Sequence, residues 1–465
     1  MSGISCLVNF KENLSKNIPY YDLLLRRISG ADMSASSDSP WVGESAGLSC
    51  NSYGNIVTRI CEGYQFTIVF SGDISAKEQL KKELKSFGYH ILSDSDAEIT
   101  LLCYIHFGED CVHKLSGNFS FIIYDAMRRV VFAVTDSEGS APLFYSKTGD
   151  NYVISSSVNN IFAHPETQKK LSRDAVLQLL TCQNCISSNI FDDVYMLTPH
   201  SYLKISKNKL EVKEYRPQEN TFHCYDDFKN IAVILSGSAA DTLVLENLPK
   251  KHTITVYGEK FPYNLTDTSA KHQHLLIDDG TVFAALENTV SACGFPFLSS
   301  FDFLLPIALR RINSDHDAVI FSAPDRFYPE KNYTKTLIKN GAFYYPLEQL
   351  LKDYSPASDI FPAYSKLIAN SFDVAITLPQ PDSSHPFFSM PTLYESPRIK
   401  TALRHILLDI ISKEHAPILA FFKRTRLLRL CEGGFLFGAG ESESELMAYL
   451  IKLNMWFETN RPRIV

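Results

Sequence analysis

Two apolar patterns divide the chain. Ahead of Asp136, short apolar runs alternate with turn residues: 65–73 predicts a strand, and 115–134 predicts a hairpin turning near 125–129. Between them, residues 76–87 predict an amphipathic helix carrying Leu80, Leu84 and Phe87 on one face, with Gly88 as its stop. After Ala232 the pattern changes to alternating strands and helices. Ala232 to Leu235 is a fully apolar strand, Leu243, Val244 and Leu248 recur at helical spacing, and further strands are expected at 253–257 and from Ala318. The expected fold is an amino-terminal α+β sandwich with flanking helices, followed by an α/β domain with a mainly parallel sheet.

At 465 residues and 45% hydrophobic content, the chain can fill two or three domain cores. The polar stretch 207–222 sets the expected break, giving domains at 1–206 and 226–465 with a linker at 207–225. A dispersed net charge of -7 argues against general nucleic-acid binding, which needs clustered cations against phosphate. No apolar run is long enough to suggest a membrane span. Ten cysteines without a signal-peptide pattern set the expectation of reduced thiols in a cytoplasmic protein. The lone pair Cys182 and Cys185 has no second close pair with which to build a zinc site.

The chemistry concentrates where the first strand of the second half ends. Leu235, Ser236, Gly237, Ser238, Ala239, Ala240, Asp241 and Thr242 run from an apolar strand through small residues towards a helix. Small side chains let backbone N–H groups approach an anion, and the helix start adds its positive dipole end. Asp241 or Thr242 could then face Mg²⁺. An ordinary strand-to-helix turn is the alternative. Downstream, the strand beginning at Ala318 leads through Ser322, Ala323 and Pro324 to Asp325, which is either a metal ligand or a helix cap. Four cations in seven positions, beginning with Lys423 and Arg424, form either an anion-binding group or a solvated helix face.

These segments resemble the asparagine synthetase family. The loop at Ser236 to Thr242 is similar to the family's pyrophosphatase-type SGGLDSS loop, with Ala240 where the family has its metal-binding Asp and an Asp displaced to 241. The segment around Asp325 resembles the family's VVLSGDGGDELFGGY, with Arg326 in place of its Glu. The resemblance implies ATP and Mg²⁺ as cofactors, Asp241 and Asp325 as metal ligands, and Lys423 or Arg424 reaching the triphosphate. It also implies a PP-loop fold, of the adenine-nucleotide α-hydrolase kind, for the second half. The family's segment after the next strand holds an acidic residue, a helix and a His-containing stretch, whereas Asp267 here stands only a few residues before His274.

The amino terminus resembles the family's glutaminase half, an amino-terminal-nucleophile fold beginning MCGI. This chain begins Met1-Ser2-Gly3-Ile4, and a serine hydroxyl is a poorer nucleophile than a thiol unless a base is supplied. Ser71 replaces the Asn of the family's VFNGEIYN segment. Ser95-Asp96-Ala97-Glu98 resembles SDTE, whose Asp holds the glutamine amino group; as an alternative, Asp96 caps the helix through Leu102. Residues 136–145 resemble RDPLGxKPLYY and keep Gly139, Pro142, Leu143 and Tyr145. The substrate-holding arginine expected before Gln65 has no clear counterpart. Ser2 and Asp96 are therefore read as vestiges of an inactive glutaminase.

Two functions follow. One is ATP-dependent amide bond formation through an acyl-adenylate without glutamine hydrolysis, as in the lasso peptide cyclases and β-lactam synthetases. Its substrate would be a peptide or amino acid carrying both carboxylate and amine, such as a precursor peptide. The other is a pseudoenzyme that keeps the fold to bind a peptide or partner enzyme, favoured by Ser2, Ala240, Arg326 and the short connection from Asp267 to His274.

Overall fold

The computed structural model describes residues 3–29, 39–51, 55–75, 77–137, 139, 141–180, 191–207, 209–216, 229–235, 253–258, 271–275, 278–296, 304–312, 316, 318–321, 333–352, 376–377, 396–438 and 441–464. They form two compact units, Met1–Lys170 with Ser188–His223, and Leu171–Ser187 with Cys224–Val465.

The first unit is built from two antiparallel sheets. Its elements in chain order are β1 (Ile4–Asn9), α1 (Ile18–Ser29), β2 (Trp41–Val42), β3 (Ala46–Cys50), β4 (Asn55–Cys61), β5 (Tyr64–Ile74), α2 (Lys77–Ser86) and α3 (Asp96–Phe107). There follow β6 (Gly117–Asp125), β7 (Val130–Thr135), β8 (Leu143–Thr148), β9 (Asn151–Ser155), α4 (Val158–Ile161), β10 (Lys170–Leu171), β11 (Val194–Leu197), β12 (Ser201–Ser206) and β13 (Lys209–Glu214). One sheet has the order β11-β8-β9-β1-β3-β2, and the other β13-β12-β7-β6-β5-β4.

Side chains alternate across a strand, so each sheet sends every second residue to one face. Ile4, Cys6, Val8, Leu48 and Ile154 of the first sheet meet Val69, Ile122, Val131, Ala133 and Leu203 of the second, making the sandwich core. The opposite face of the second sheet carries Phe66, Ile68, Phe70, Phe121 and Phe132 and is covered by Leu80 and Leu84 of α2 and the apolar residues of α3. Helices α1 and α4 pack on the first sheet. The layer order helix, sheet, sheet, helix results.

Glu98 fixes how α3 enters this arrangement. Its carboxylate is 2% exposed and accepts from the backbone N–H groups of Leu92 and Ser93, each at 2.6 Å, and from Arg59 Nη2 on β4. The buried charge is thus paired and hydrogen-bonded, as burial requires.

The second unit holds a five-stranded parallel sheet of β14 (Asn230–Ile234), β15 (Thr253–Gly258), β16 (Lys271–His274), β17 (Ala318–Phe321) and β18 (Ile376–Thr377). The strand order is β16-β15-β14-β17-β18. In β14 the residues Ile231 to Ile234 are all buried, the unbroken apolar run of a strand covered on both faces. The segment in which sequence places His274 is strand β16, paired in parallel with β15.

Helices of this unit include α5 (Arg173–Leu180), α6 (Asp279–Cys293), α7 (Leu304–Leu309), α8 (Thr334–Lys339), α9 (Tyr345–Lys352), α10 (Pro397–Ser412), α11 (Arg424–Cys431) and α12 (Glu443–Asn460). A capping box of Asp278 and Thr281 opens α6, and Gly294 in the left-handed conformation closes it. Helix α12 is buried nearly all round, packing against α6, α10 and α11.

Candidate functional site

The parallel sheet has a topological switch at β14. From β14 the chain crosses to β15 and then β16 on one side, whereas β17 and β18 are added on the other. In open parallel sheets a crevice forms outside the carboxyl ends of the two strands where the order reverses, and ligands bind there. Here those strands are β14 and β17, paired with Ile234 level with Phe321. Leu235, 1% exposed and bonded through its N–H to Tyr257 O at 2.9 Å, is the last described residue of the first strand end. Ser236, Gly237, Ser238, Asp241 and Thr242 follow it in sequence, and Asp325 follows β17; these six lie outside the described residues, as do Cys182 and Cys185.

Lys423 and Arg424 are placed on a different element. Lys423 is the N-cap of α11, is half-buried, and donates its N–H to Ala342 O at 2.8 Å. The neighbouring Phe422 bridges to Phe343, with ring centroids 4.9 Å apart. Arg424 is exposed, with Nη2 on Lys413 O at 3.0 Å. Leu427, Leu430 and Cys431 form the buried face of α11. Lys423 is therefore fixed in its backbone and makes no ion pair among the described residues, while Arg424 and Arg429 lie on the solvated face.

The first unit has its own polar locus. Arg129 Nη2 donates to Ser45 Oγ at 2.8 Å, and the rings of Trp41 and Tyr124 lie 5.6 Å apart. These contacts align the Val8 and Ala46 end of the first sheet with the Tyr124 and Val131 end of the second. The start of β1 consequently lies at the other end of the sandwich, where inward positions cease to be apolar. One inward position beyond Val69, Ile122, Ala133 and Leu203 stand Ser71, Ser120, Thr135 and Ser201, all buried. Ser120 Oγ has no hydrogen-bond partner among the described residues. Thr135 Oγ1 donates to Thr198 O at 2.8 Å.

Ser2 lies outside the described residues, but the strand it precedes is held tightly. Gly3 O accepts from Asn51 N–H at 2.9 Å, and Ile4 N–H donates to Ser156 Oγ at 3.1 Å. A Cβ on Gly3 would fall 2.3 Å from Ser29 O, so only glycine fits there. Behind β1, Ser5 stands level with Ser49 on β3 and Ser155 on β9, a buried serine row under the end of α1.

Asp96 departs from the expected cap. Ser95 is the N-cap of α3, accepting from Glu98 N–H at 3.2 Å, and Asp96 is the first helical residue of a helix that continues to Phe107. Serine caps here because its Oγ reaches the third N–H, whereas the Asp96 carboxylate turns to Lys77 Nζ at 3.0 Å. Glu98, the next acidic residue, is the structural anchor. The signal for it was an acidic residue within an otherwise apolar helix.

Four buried thiols, Cys6, Cys103, Cys111 and Cys431, are shifted away from activation. Burial pushes the Cys103 thiol up to about 12, and raises Cys6 and Cys111 as well. Burial likewise raises Cys431 to about 11, with the Glu443 and Glu432 charges adding to it and Arg404 opposing. Such thiols stay protonated near neutral pH and are poor nucleophiles.

Gly72 follows Ser71 with φ at +106°, and a Cβ there would lie 2.0 Å from Asn118 O. Gly72→Ala should therefore destabilise the first unit by about 2–3 kcal/mol through backbone strain and displacement of β6. Chemical denaturation checks this; a loss below about 0.5 kcal/mol would show that β6 yields easily.

Residues 60–216 match a glutamine amidotransferase domain model, which falls on the two-sheet unit. The chain is 32% identical over 170 residues to asparagine synthetase [glutamine-hydrolyzing] 3 of Bacillus subtilis, covering 36% of this chain and 28% of that protein. It is 29% identical over 122 residues to asparagine synthetase [glutamine-hydrolyzing] 1 of the same organism, covering 26% and 19%. The match thus takes in less than a third of either relative. A solved glutamine phosphoribosylpyrophosphate amidotransferase from B. subtilis aligns with a TM-score of 0.33 at 11% identity, over 81% of this chain and 90% of that one. The domain match and the asparagine synthetase relatives make the chain, over its two-sheet unit, a divergent relative of the asparagine synthetase family.

Proposed function

We propose that the chain is an ATP-dependent amide-forming ligase of the asparagine synthetase type that takes its amine directly and does not hydrolyse glutamine. On this reading the two-sheet unit is an inactive glutaminase-like domain and the parallel-sheet unit a PP-loop synthetase-like domain; the stretch 207–225, expected from sequence as a linker, instead supplies β13 to the first unit. The observation that carries it is the switch between β14 and β17, whose adjacent carboxyl ends lead into the two family-like loops. Ser236, Gly237 and Ser238 would offer backbone donors to pyrophosphate, Thr242 its hydroxyl, and Leu235 an apolar wall. Asp241 and Asp325, one from each loop, would hold Mg²⁺, with Lys423 or Arg424 supplying positive charge. That donor set, oxygen ligands and cations without thiolate, suits Mg²⁺ and a polyphosphate. Bound Mg-ATP supplies a good leaving group for activating a carboxylate.

Independence from glutamine is supported by Ser2 in place of a thiol, by the ion pair that engages Asp96, and by the burial that keeps Cys6, Cys103, Cys111 and Cys431 protonated. A substrate carrying both carboxylate and amine needs no ammonia. Macrolactam formation on a precursor peptide is the specific form proposed.

Calorimetric titration of Mg-ATP tests the site. Binding should weaken at least tenfold, about 1.4 kcal/mol, in Asp241→Ala and in Asp325→Ala. Glutamine should release no ammonia; release abolished by Ser2→Ala would overturn that part. Folded protein that does not bind Mg-ATP would end the ligase reading and leave a scaffold that binds a peptide or partner enzyme, which Ala240 and Arg326 favour.

A further inference from the structure

Strand β4 is an edge of the second sheet and differs from the other edges. At the opposite edge, β13 carries Lys209, Glu211, Lys213 and Glu214, with Lys209 and Glu211 paired at 2.5 Å. Such charges oppose edge-to-edge pairing. The edges β2 and β11 of the first sheet are only two and four residues long. Strand β4 has seven residues, Asn-Ile-Val-Thr-Arg-Ile-Cys, rich in β-branched side chains. Its one charge, Arg59, is turned to Glu98 of α3 and leaves none at the edge. Ile60, at 76%, is the most exposed of the large hydrophobic residues described.

Hairpin geometry determines which backbone groups face outward. Glu62 and Gly63, with φ of 53° and 81°, close a two-residue turn between β4 and β5, and Cys61 pairs with Tyr64. The pair flanking such a turn exchanges both hydrogen bonds. Alternation then turns Cys61, Arg59 and Val57 towards β5, and the N–H and C=O groups of Ile60, Thr58 and Ile56 towards the open edge. No described backbone group pairs with these three from the outer side.

We propose that two copies of this chain associate through β4, antiparallel about a two-fold axis at Thr58, joining their second sheets into one. In that register Thr58 faces its own copy and Ile56 faces Ile60 of the partner copy. These pairs bring together residues whose polar groups already point outward, so each exchanges two hydrogen bonds, with the Val57 and Arg59 pairs between them as the non-bonded positions of the ladder. Shifting by two residues in either direction loses a pair. The side chains agree with the backbone: Ile56 and Ile60 share the face of β4 that Ile56 presents to the sandwich core, so the exposed Ile60 is covered by an isoleucine. On the other face Val57 stands opposite Arg59, so the two arginines never oppose each other. A strand without charge conflict against itself, in a register that satisfies all outward groups, selects a second copy of the chain as its occupant.

Sedimentation equilibrium of the full chain tests this. A dimer is expected, with its dissociation constant raised at least tenfold by Ile60→Lys, which puts an unpaired charge against Ile56. Thr58→Pro should do the same by removing an outward N–H while sparing the bonds to β5. Val212→Lys on β13 should leave association unchanged. Oxidised Thr58→Cys protein should form a covalent dimer faster than wild type, because a hydrogen-bonded antiparallel pair holds its Cα atoms about 5.5 Å apart, within disulfide range. A chain that stays monomeric at its highest soluble concentration overturns the proposal, and so does a dimer indifferent to both β4 variants.

Discussion

Trp456→Ala should destabilise the second unit by about 3–5 kcal/mol, the cost of removing a large aromatic side chain from a packed core. The indole is fully buried, and its Nε1–H donates to Gly294 O at 2.7 Å. Gly294 holds φ at 72° and ends α6, so one side chain joins the middle of the chain to its last long helix. Truncation opens a cavity beside Phe457, whose ring lies 5.2 Å away, and leaves a carbonyl without its donor. Trp456→Phe keeps most of the volume and should cost less. The chain has two tryptophans, Trp41 in the first unit and Trp456 in the second, so fluorescence and circular dichroism during urea unfolding assign the loss to a unit. A loss under about 1 kcal/mol would mean that α12 repacks freely around the gap.

Glu98→Ala should cost the first unit a similar amount, about 3–5 kcal/mol, because it breaks a buried ion pair from one side. The guanidinium of Arg59 loses its counter-charge, and the N–H groups of Leu92 and Ser93 lose their acceptor. Removing both charges in Arg59→Ala with Glu98→Ala should cost less than the sum of the single changes, since the penalty of an unpaired buried charge disappears. A double-mutant cycle on unfolding free energies measures this. Additive losses would show that Glu98 acts through the loop 91–95 alone and not through Arg59.

Much of the local structure follows from the spacing of apolar residues. The predicted strand at 65–73 is β5, Tyr64–Ile74, and the helix at 76–87 is α2, Lys77–Ser86, stopped by Gly88 at a φ of 88°. The turn near 125–129 joins β6 and β7. These depend on contacts a few residues apart, for which periodicity and turn chemistry suffice. The family-like loops were equally legible, because each is a contiguous string.

Pairings between distant residues were decided by tertiary structure. Nothing in the apolar run of β14 indicates that β15 lies on one side and β17 on the other, yet that order creates the switch on which the ligase proposal rests. Residues 95–98 permit either Ser95 or Asp96 as the cap, and the nearby Lys77 draws Asp96 away. Ser71, Ser120 and Thr135 are unremarkable singly; strand register alone aligns them across three strands at one end of the core. A strand pattern states which residues share a face, but which strand becomes an edge depends on every other pairing in the sheet. The sequence by itself therefore determined the elements and the loop chemistry, while the tertiary structure decided which strand ends adjoin, which acid is anchored in the core, and which strand is left at the edge, because those outcomes depend on contacts remote along the chain.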